Sequence, residues 1–191
     1  TLGDVTGKGL PAAMLMSNVQ ATLRGQTLVS NSPKECIMRS NRLLFMSTSA
    51  EKFVTLFYGI LDTQEHTFWF SNAGHDNPYV LSSKGDIRRL KTGGTVLSVM
   101  EEFPYEEEKV EIPKDDVVVI YSDGITEAMN DSDELYGEER LVEVLQKVKG
   151  QSAIEIIRLV RLISPSASSF FSVRLTWTGV SATASASCSW V

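Results

Sequence analysis

Gly3-Asp4-Val5-Thr6-Gly7-Lys8-Gly9-Leu10-Pro11-Ala12-Ala13 is a glycine-rich loop that runs straight into an apolar-faced helix. Three glycines around one acid and one lysine describe a backbone that turns tightly and lets a charged group come close. A carboxylate at a strand end, next to exposed peptide groups, holds a metal ion or orients a water. The loop therefore cradles a phosphate by its amides, grips a metal by Asp4, or is a strand-to-helix turn with no chemistry. Spacing tests the first option. A P-loop needs four residues between its glycines, then Gly-Lys and a Ser or Thr. Here three residues separate Gly3 from Gly7, and Lys8 is followed by Gly9. The dinucleotide fingerprint Gly-x-Gly-x-x-Gly does not fit either.

A second acid repeats this local chemistry. Asp116-Val117-Val118-Val119-Ile120-Tyr121 is nearly all apolar, as expected of a central strand covered on both faces, and it ends in Ser122-Asp123-Gly124. A carboxylate at the edge of a core is costly without a cation, amide donors or a metal. Asp123 alone reads as a cap for the following helix. Asp4 and Asp123 together, each at a strand end with glycine nearby, shift the reading toward hard ligands for magnesium or manganese.

Around these acids the periodicity gives the architecture. Leu10 to Val29 carries apolar residues at helical spacing (Leu10, Ala13, Met14, Val19, Ala21, Leu23, Leu28), which the pattern places toward a core. Pro11 is tolerated in the first turn. Ser32-Pro33 restarts a helix, with Ser32 as N-cap and Glu35 in the first turn, through Ile37, Leu43, Leu44 and Met46. Phe53–Leu61 and His66–Ser71 form one expected hairpin, and Pro78–Leu81 with Ile87–Leu90 a second. Tyr105 to Ile112 alternates as a half-exposed strand. Helices are expected again after Glu138, stopping at Gly150, and over Gln151 to Ile163. Helices at both ends of a run of strands read as α+β with a largely antiparallel sheet.

The 191 residues hold one domain by length, with 42% hydrophobic and 22% charged residues, ordinary for a globular protein. A net charge of -6 argues against a nucleic-acid surface. No apolar run reaches about 18 residues and no signal peptide is read, so no membrane is expected in this fragment; a cytoplasmic setting is the default expectation. Cys36 and Cys188 are far apart and form neither a disulfide framework nor a zinc site; Cys36 falls in a helix as a small buried thiol. The chain starts at Thr1 within a motif, as a fragment would. After Glu155 no acidic residue remains, and from Ser164 onward Ser, Ala and Thr dominate. The expected division is an incomplete domain over 1–163 and an atypical, disordered or frame-shifted tail over 164–191.

Three blocks now resemble the ordered signatures of one family: Gly3–Ala13, then Ser71-Asn72-Ala73-Gly74-His75-Asp76-Asn77-Pro78, then Tyr121-Ser122-Asp123-Gly124-Ile125-Thr126-Glu127-Ala128. It is the SpoIIE/RsbU-type branch of the metal-dependent serine/threonine protein phosphatases, similar to protein phosphatase 2C. Asn41, Phe53–Phe57 and Thr92-Gly93-Gly94 also fall where that family has matching features. The resemblance spans Thr1 to Leu145. It implies a two-sheet antiparallel sandwich flanked by helices, in α-β-β-α layers, with a two-metal site between the sheets. It implies Asp4 as the carboxylate shared by two Mn2+ or Mg2+ ions, the Val5 carbonyl as a further ligand and Asp123 as a second carboxylate. The implied reaction is hydrolysis of phosphoserine or phosphothreonine by a metal-activated water, without a covalent phosphoenzyme. The implied partner is a phosphorylated regulator of the anti-anti-sigma type, with a sensory or receiver domain upstream in the whole protein. His75 invites a general-acid role because histidine is the side chain that can serve as acid or base at physiological pH; the simpler reading is a structured strand-end turn whose His bonds the backbone. Lys8 and the runs Glu106-Glu107-Glu108 and Asp131, Asp133, Glu134 read as solvated charges. Two departures stand out. The family places an acidic pair ahead of the first block, and a final Asp-Asp pair leads its last strand. Here the one late strand-like piece, Ser172–Trp177, carries an arginine instead. A non-catalytic module that binds such a partner without turnover is therefore the alternative.

Overall fold

A computed structural model describes residues 1–49, 51–130, 132–148, 150–151, 153–163 and 174–177. The fold is α+β, with two sheets in which antiparallel pairings predominate and Asn72–Ala73 pairs in parallel with Gly93–Gly94. The chain divides into two compact units: Thr1–Asp62, Thr67–His75 and Lys91–Val110 form the first, and Thr63–His66, Asp76–Leu90 and Glu111–Val191 the second.

In the first unit β1 (Leu2–Val5) leads through the glycine loop into α1 (Gly9–Gln26), followed by α2 (Pro33–Ser47), β2 (Val54–Asp62), β3 (Thr67–Ala73), β6 (Gly93–Gly94) and, up to Val110, β7 (Glu108–Glu111). The strand order is β1-β2-β3-β6, with β7 also on β3. Strand β2 alternates as its sequence dictates. Val54, Leu56 and Tyr58 join the helices' core with Leu15, Val19, Cys36, Ile37 and Leu44. Phe57 points to the opposite face, where it stacks on Phe68 and Phe70 at 6.0 and 5.5 Å between ring centroids. Ile37 and Leu44 are fully buried, so truncating either to Ala costs about 2–5 kcal/mol.

The start of α2 follows from its sequence. Ser32 Oγ accepts the Glu35 amide at 3.2 Å, Pro33 opens the first turn, and Glu35 Oε2 accepts the Asn31 amide at 2.8 Å. Glu107 adds a third contact by accepting the Lys34 N–H at 2.9 Å, while Glu108 accepts the Thr92 hydroxyl at 2.6 Å. These two acids therefore anchor backbone and loop rather than standing as solvated charges. Helix α1 departs from the expected stripe. The buried residues are Ala12, Leu15, Val19 and Leu23, whereas Leu10, Met14 and Leu28 are exposed, and on α2 Leu43 and Met46 are exposed too. The reason is geometric: steps of three and four from Ala12 leave Leu10 and Met14 on the far flank.

In the second unit β4 (Tyr79–Leu81) and β5 (Ile87–Arg89) form the expected second hairpin. Strand β8 (Val117–Ile120) is buried at every residue. The order is β5-β4-β8-β9, with β9 (Arg174–Trp177) antiparallel to β8. This strand lies within the Ser/Ala-rich tail; the rest of 164–191, Cys188 included, lies outside the described residues. Helices α3 (Asp123–Thr126), α4 (Gly137–Lys147) and α5 (Ala153–Ile163) complete the unit. Leu141, Leu145, Ile156 and Val160 share its core with Val117, Val119 and Tyr121. Among the described residues no helix is long and apolar enough to cross a membrane.

Candidate functional site

The Asp4 loop is held by strand pairing and by side chains that reach it. Asp4 is the register partner of Thr55, and its amide donates to Thr55 Oγ1 at 3.3 Å. The exposed Asp4 carboxylate accepts the Val5 amide through Oδ1 at 2.9 Å. Three hydrogen bonds fasten Thr6 to Phe53: the Thr6 N–H and hydroxyl donate to the Phe53 carbonyl at 3.1 and 3.3 Å, and the Phe53 N–H donates to Thr6 Oγ1 at 3.1 Å. Past this clamp the chain turns with Gly7 at φ 98° and Gly9 at φ 69°, a region that only glycine enters without strain. A Cβ on Gly7 would stand 2.9 Å from Lys52 Nζ, so the Lys52 ammonium lies over this turn.

His75 lies within the second motif block. Its N–H donates to Asn72 Oδ1 at 2.8 Å, and its carbonyl accepts from Asn72 Nδ2 at 2.9 Å. The turn is the structured one expected from Asn72-Ala73-Gly74-His75, with Gly74 at φ 70°. The ring, however, meets a side chain: Nδ1 lies 2.9 Å from Thr55 Oγ1, and the imidazole is buried. Asp4, Val5 and His75 thus belong to one unit, and Thr55 joins the loop to the histidine.

Asp123 stands in the second unit, exposed, as the first residue of α3. Ser122 occupies the N-cap, so Asp123 does not cap the helix as its position alone suggested. It belongs to an acidic group that sequence reasoning missed. The Asp76 carboxyl is pushed up to about 6 by burial first, then by Asp123, Glu138 and Glu127, with Arg89 opposing. Arg89 pairs with Glu138, which also accepts the Tyr121 hydroxyl at 3.1 Å. The Arg89 guanidinium lies 5.6 Å from the centre of the Tyr79 ring, and that ring stacks on Tyr121. Asp76 was in view inside a quoted motif, but its neighbours come from distant segments that no local pattern links.

In the first unit the Asp4 carboxylate and the Val5 carbonyl are oxygen donors of the kind that suit a hard divalent cation; in the second, Asp76 and Asp123 are carboxylates whose mutual repulsion such a cation would relieve. Among the described residues no group of three or more His, Cys, Asp or Glu side chains is arranged to hold a metal by itself. The fit to such a cation thus lies in the chemistry of the donor atoms and not in a grouped set of side chains. Cys36 stands apart: it is buried, and burial pushes its thiol up, as befits a packed, inert side chain.

Comparison with known proteins finds relatives of this chain. RsbU, a phosphoserine phosphatase from Bacillus subtilis, is 29% identical over 132 residues, covering 69% of this chain and 39% of RsbU. The RsbU and RsbW domains of Rv1364c from Mycobacterium tuberculosis superpose with a TM-score of 0.69 at 19% identity, over 84% of this chain and 46% of that one. The manganese-presoaked phosphatase domain of the cell fate determinant SpoIIE from Bacillus subtilis gives a TM-score of 0.58 at 16% identity, over 93% of this chain and 76% of that one. The two structures share its fold, and the chain spans about two fifths of the length of RsbU. The family model for Stage II sporulation protein E matches residues 1–165, so the chain belongs to the SpoIIE family.

Proposed function

We propose that this chain is the catalytic part of a metal-dependent phosphatase that hydrolyses phosphoserine or phosphothreonine on a regulatory protein in bacterial signalling. The observation that carries the reading is the coincidence of the family match over residues 1–165 with two exposed strand-end carboxylates, Asp4 and Asp123, in its first and third motif blocks. In this reading Asp4, the Val5 carbonyl and Asp123 are ligands of Mn2+ or Mg2+, two ions in all. The ions, when bound, supply Lewis acidity and a water that is nucleophilic at neutral pH. The chain's own part is to fix the Asp4 backbone through Thr55, to turn the loop at Gly7 and Gly9, and to keep the Lys52 charge beside it for an incoming phosphate. The substrate is a phosphorylated regulator of the anti-anti-sigma type, met in the cytoplasm, and the whole protein adds a sensory or receiver domain upstream. The test is release of inorganic phosphate from a phosphoserine-bearing protein of that type. Turnover that requires Mn2+ supports the reading; a chain with no turnover at any Mn2+ concentration counts against it.

A second reading has its own observation. Among the described residues no three ligating side chains are grouped to hold a metal, and the segment pairing with β8 on its free side is Arg174–Trp177, where the family resemblance leads one to expect acids. A binding module that captures the phosphorylated partner without turnover fits that deficit. Retention of the phosphoprotein on the immobilised chain, without phosphate release, is its signature.

A further inference from the structure

Strand β2 places one hydroxyl between two functional blocks that lie far apart in sequence. Thr55 sits between the buried Val54 and Leu56 and is itself half-buried. Its Oγ1 accepts the Asp4 amide at 3.3 Å and lies 2.9 Å from His75 Nδ1. His75 cannot easily shift, because Asn72 holds both its amide and its carbonyl. Asn72 is held in turn: its N–H donates to the Thr92 carbonyl at 3.1 Å, and Gly93 packs so closely that a Cβ there would stand 1.9 Å from the Asn72 carbonyl oxygen. A fixed, buried imidazole thus meets the hydroxyl that meets the amide of Asp4.

We propose that Thr55 and His75 are positioning residues for the Asp4 loop. His75 orients the Thr55 hydroxyl, and that hydroxyl fixes the Asp4 amide, so the carboxylate is presented to a divalent cation already oriented. The proposal rests on the reading of Asp4 as a metal ligand. Groups one step behind a ligand set its direction, and their loss typically costs 10–100-fold in metal affinity. A threonine in this register does more than satisfy β-propensity, since valine would satisfy that alone. His75 acts from behind the loop and is assigned no contact with substrate.

The experiment is calorimetric titration of Mn2+ into the whole chain, paired with melting curves in EDTA. Thr55→Val removes the hydroxyl at nearly constant volume and should weaken Mn2+ binding about 10-fold, while Thr55→Ser should restore it to within about threefold. His75→Leu should cost a similar factor, and the double variant Thr55→Val/His75→Leu no more than the larger single loss, because both act through one hydroxyl. Asp4→Asn separates the two ideas. If Asp4→Asn abolishes binding but Thr55→Val binds like wild type, the positioning role is overturned and the ligand reading stands. If Asp4→Asn binds like wild type, the ligand reading fails and the proposal with it. Equal loss in Thr55→Val and Thr55→Ser also overturns it, since the hydroxyl would then not be the cause. Should His75→Leu not fold, the two Thr55 variants decide the matter.

Discussion

Asn41, in the middle of α2, holds the loop that begins at Ser98. Its Oδ1 accepts the Ser98 amide at 2.9 Å, and its Nδ2 donates to the carbonyls of Met100 at 2.7 Å and Glu101 at 3.0 Å. Both residues are buried. One side chain therefore replaces a strand partner for a segment that has none, and it does so away from water, where unmade hydrogen bonds are costly. Asn41→Leu leaves an amide and two carbonyls stranded and should lower stability by about 2–4 kcal/mol. Chemical denaturation of the variant measures this, and a loss below about 0.5 kcal/mol would show that water replaces the side chain.

Ser98 itself carries a correctable strain. Its φ is 71°, in the left-handed region, and its buried Oγ has no hydrogen-bond partner. Glycine removes both penalties and adds some unfolded-state entropy. Ser98→Gly should therefore stabilise the protein by about 1 kcal/mol, read as a rise in melting temperature. A fall would mean that the hydroxyl makes a contact the geometry does not record.

Gly93 makes the opposite prediction. A Cβ there would lie 1.9 Å from the Asn72 carbonyl oxygen and 2.5 Å from its nitrogen, both backbone atoms that cannot swing aside. Gly93→Ala should destabilise by about 3 kcal/mol or more and disturb the His75 turn that Asn72 holds. Circular dichroism melts provide the measure; wild-type stability would contradict the register of β3 with β6.

Asp76 should give a pH signature. Its carboxyl is pushed up to about 6 from an ordinary 3.8, first by burial and then by Asp123, Glu138 and Glu127. The fold therefore disfavours its ionised form: the stability present below about pH 4 is lost as pH rises toward and through about 6. Asp76→Asn removes that loss. Without added metal the variant should be more stable than wild type by about 1–2 kcal/mol at pH 7.5, solvent screening included, and should show no gain at pH 4. A difference that does not vary with pH would remove the cause assigned here.

Much of this fold was legible because local chemistry governs it. The Ser32-Pro33 start of α2, the alternation of β2 and the fully apolar β8 each follow from a pattern a few residues long. The glycine loop was legible too, since Gly7 and Gly9 need conformations that other residues avoid. What escaped was set by distant partners. Nothing near Thr55 announces Asp4 and His75, and nothing near Asp76 announces Glu127 and Glu138. The α1 stripe was overread because apolar residues outnumber core positions: Leu10, Met14 and Leu28 fit the helical spacing yet face outward. The triple glutamate was underread, because Glu107 and Glu108 find amide and hydroxyl partners only once α2 and Thr92 are in place.

Asp4 and Asp123 are proposed above as metal ligands that support phosphate-ester hydrolysis. The most direct measurement is Mn2+-dependent hydrolysis of p-nitrophenyl phosphate by the wild-type chain beside Asp4→Ala and Asp123→Ala. Turnover should rise with Mn2+, vanish in EDTA, and fall at least about 100-fold in each variant. Hydrolysis that persists in EDTA, or that survives either substitution at the wild-type rate, would contradict it.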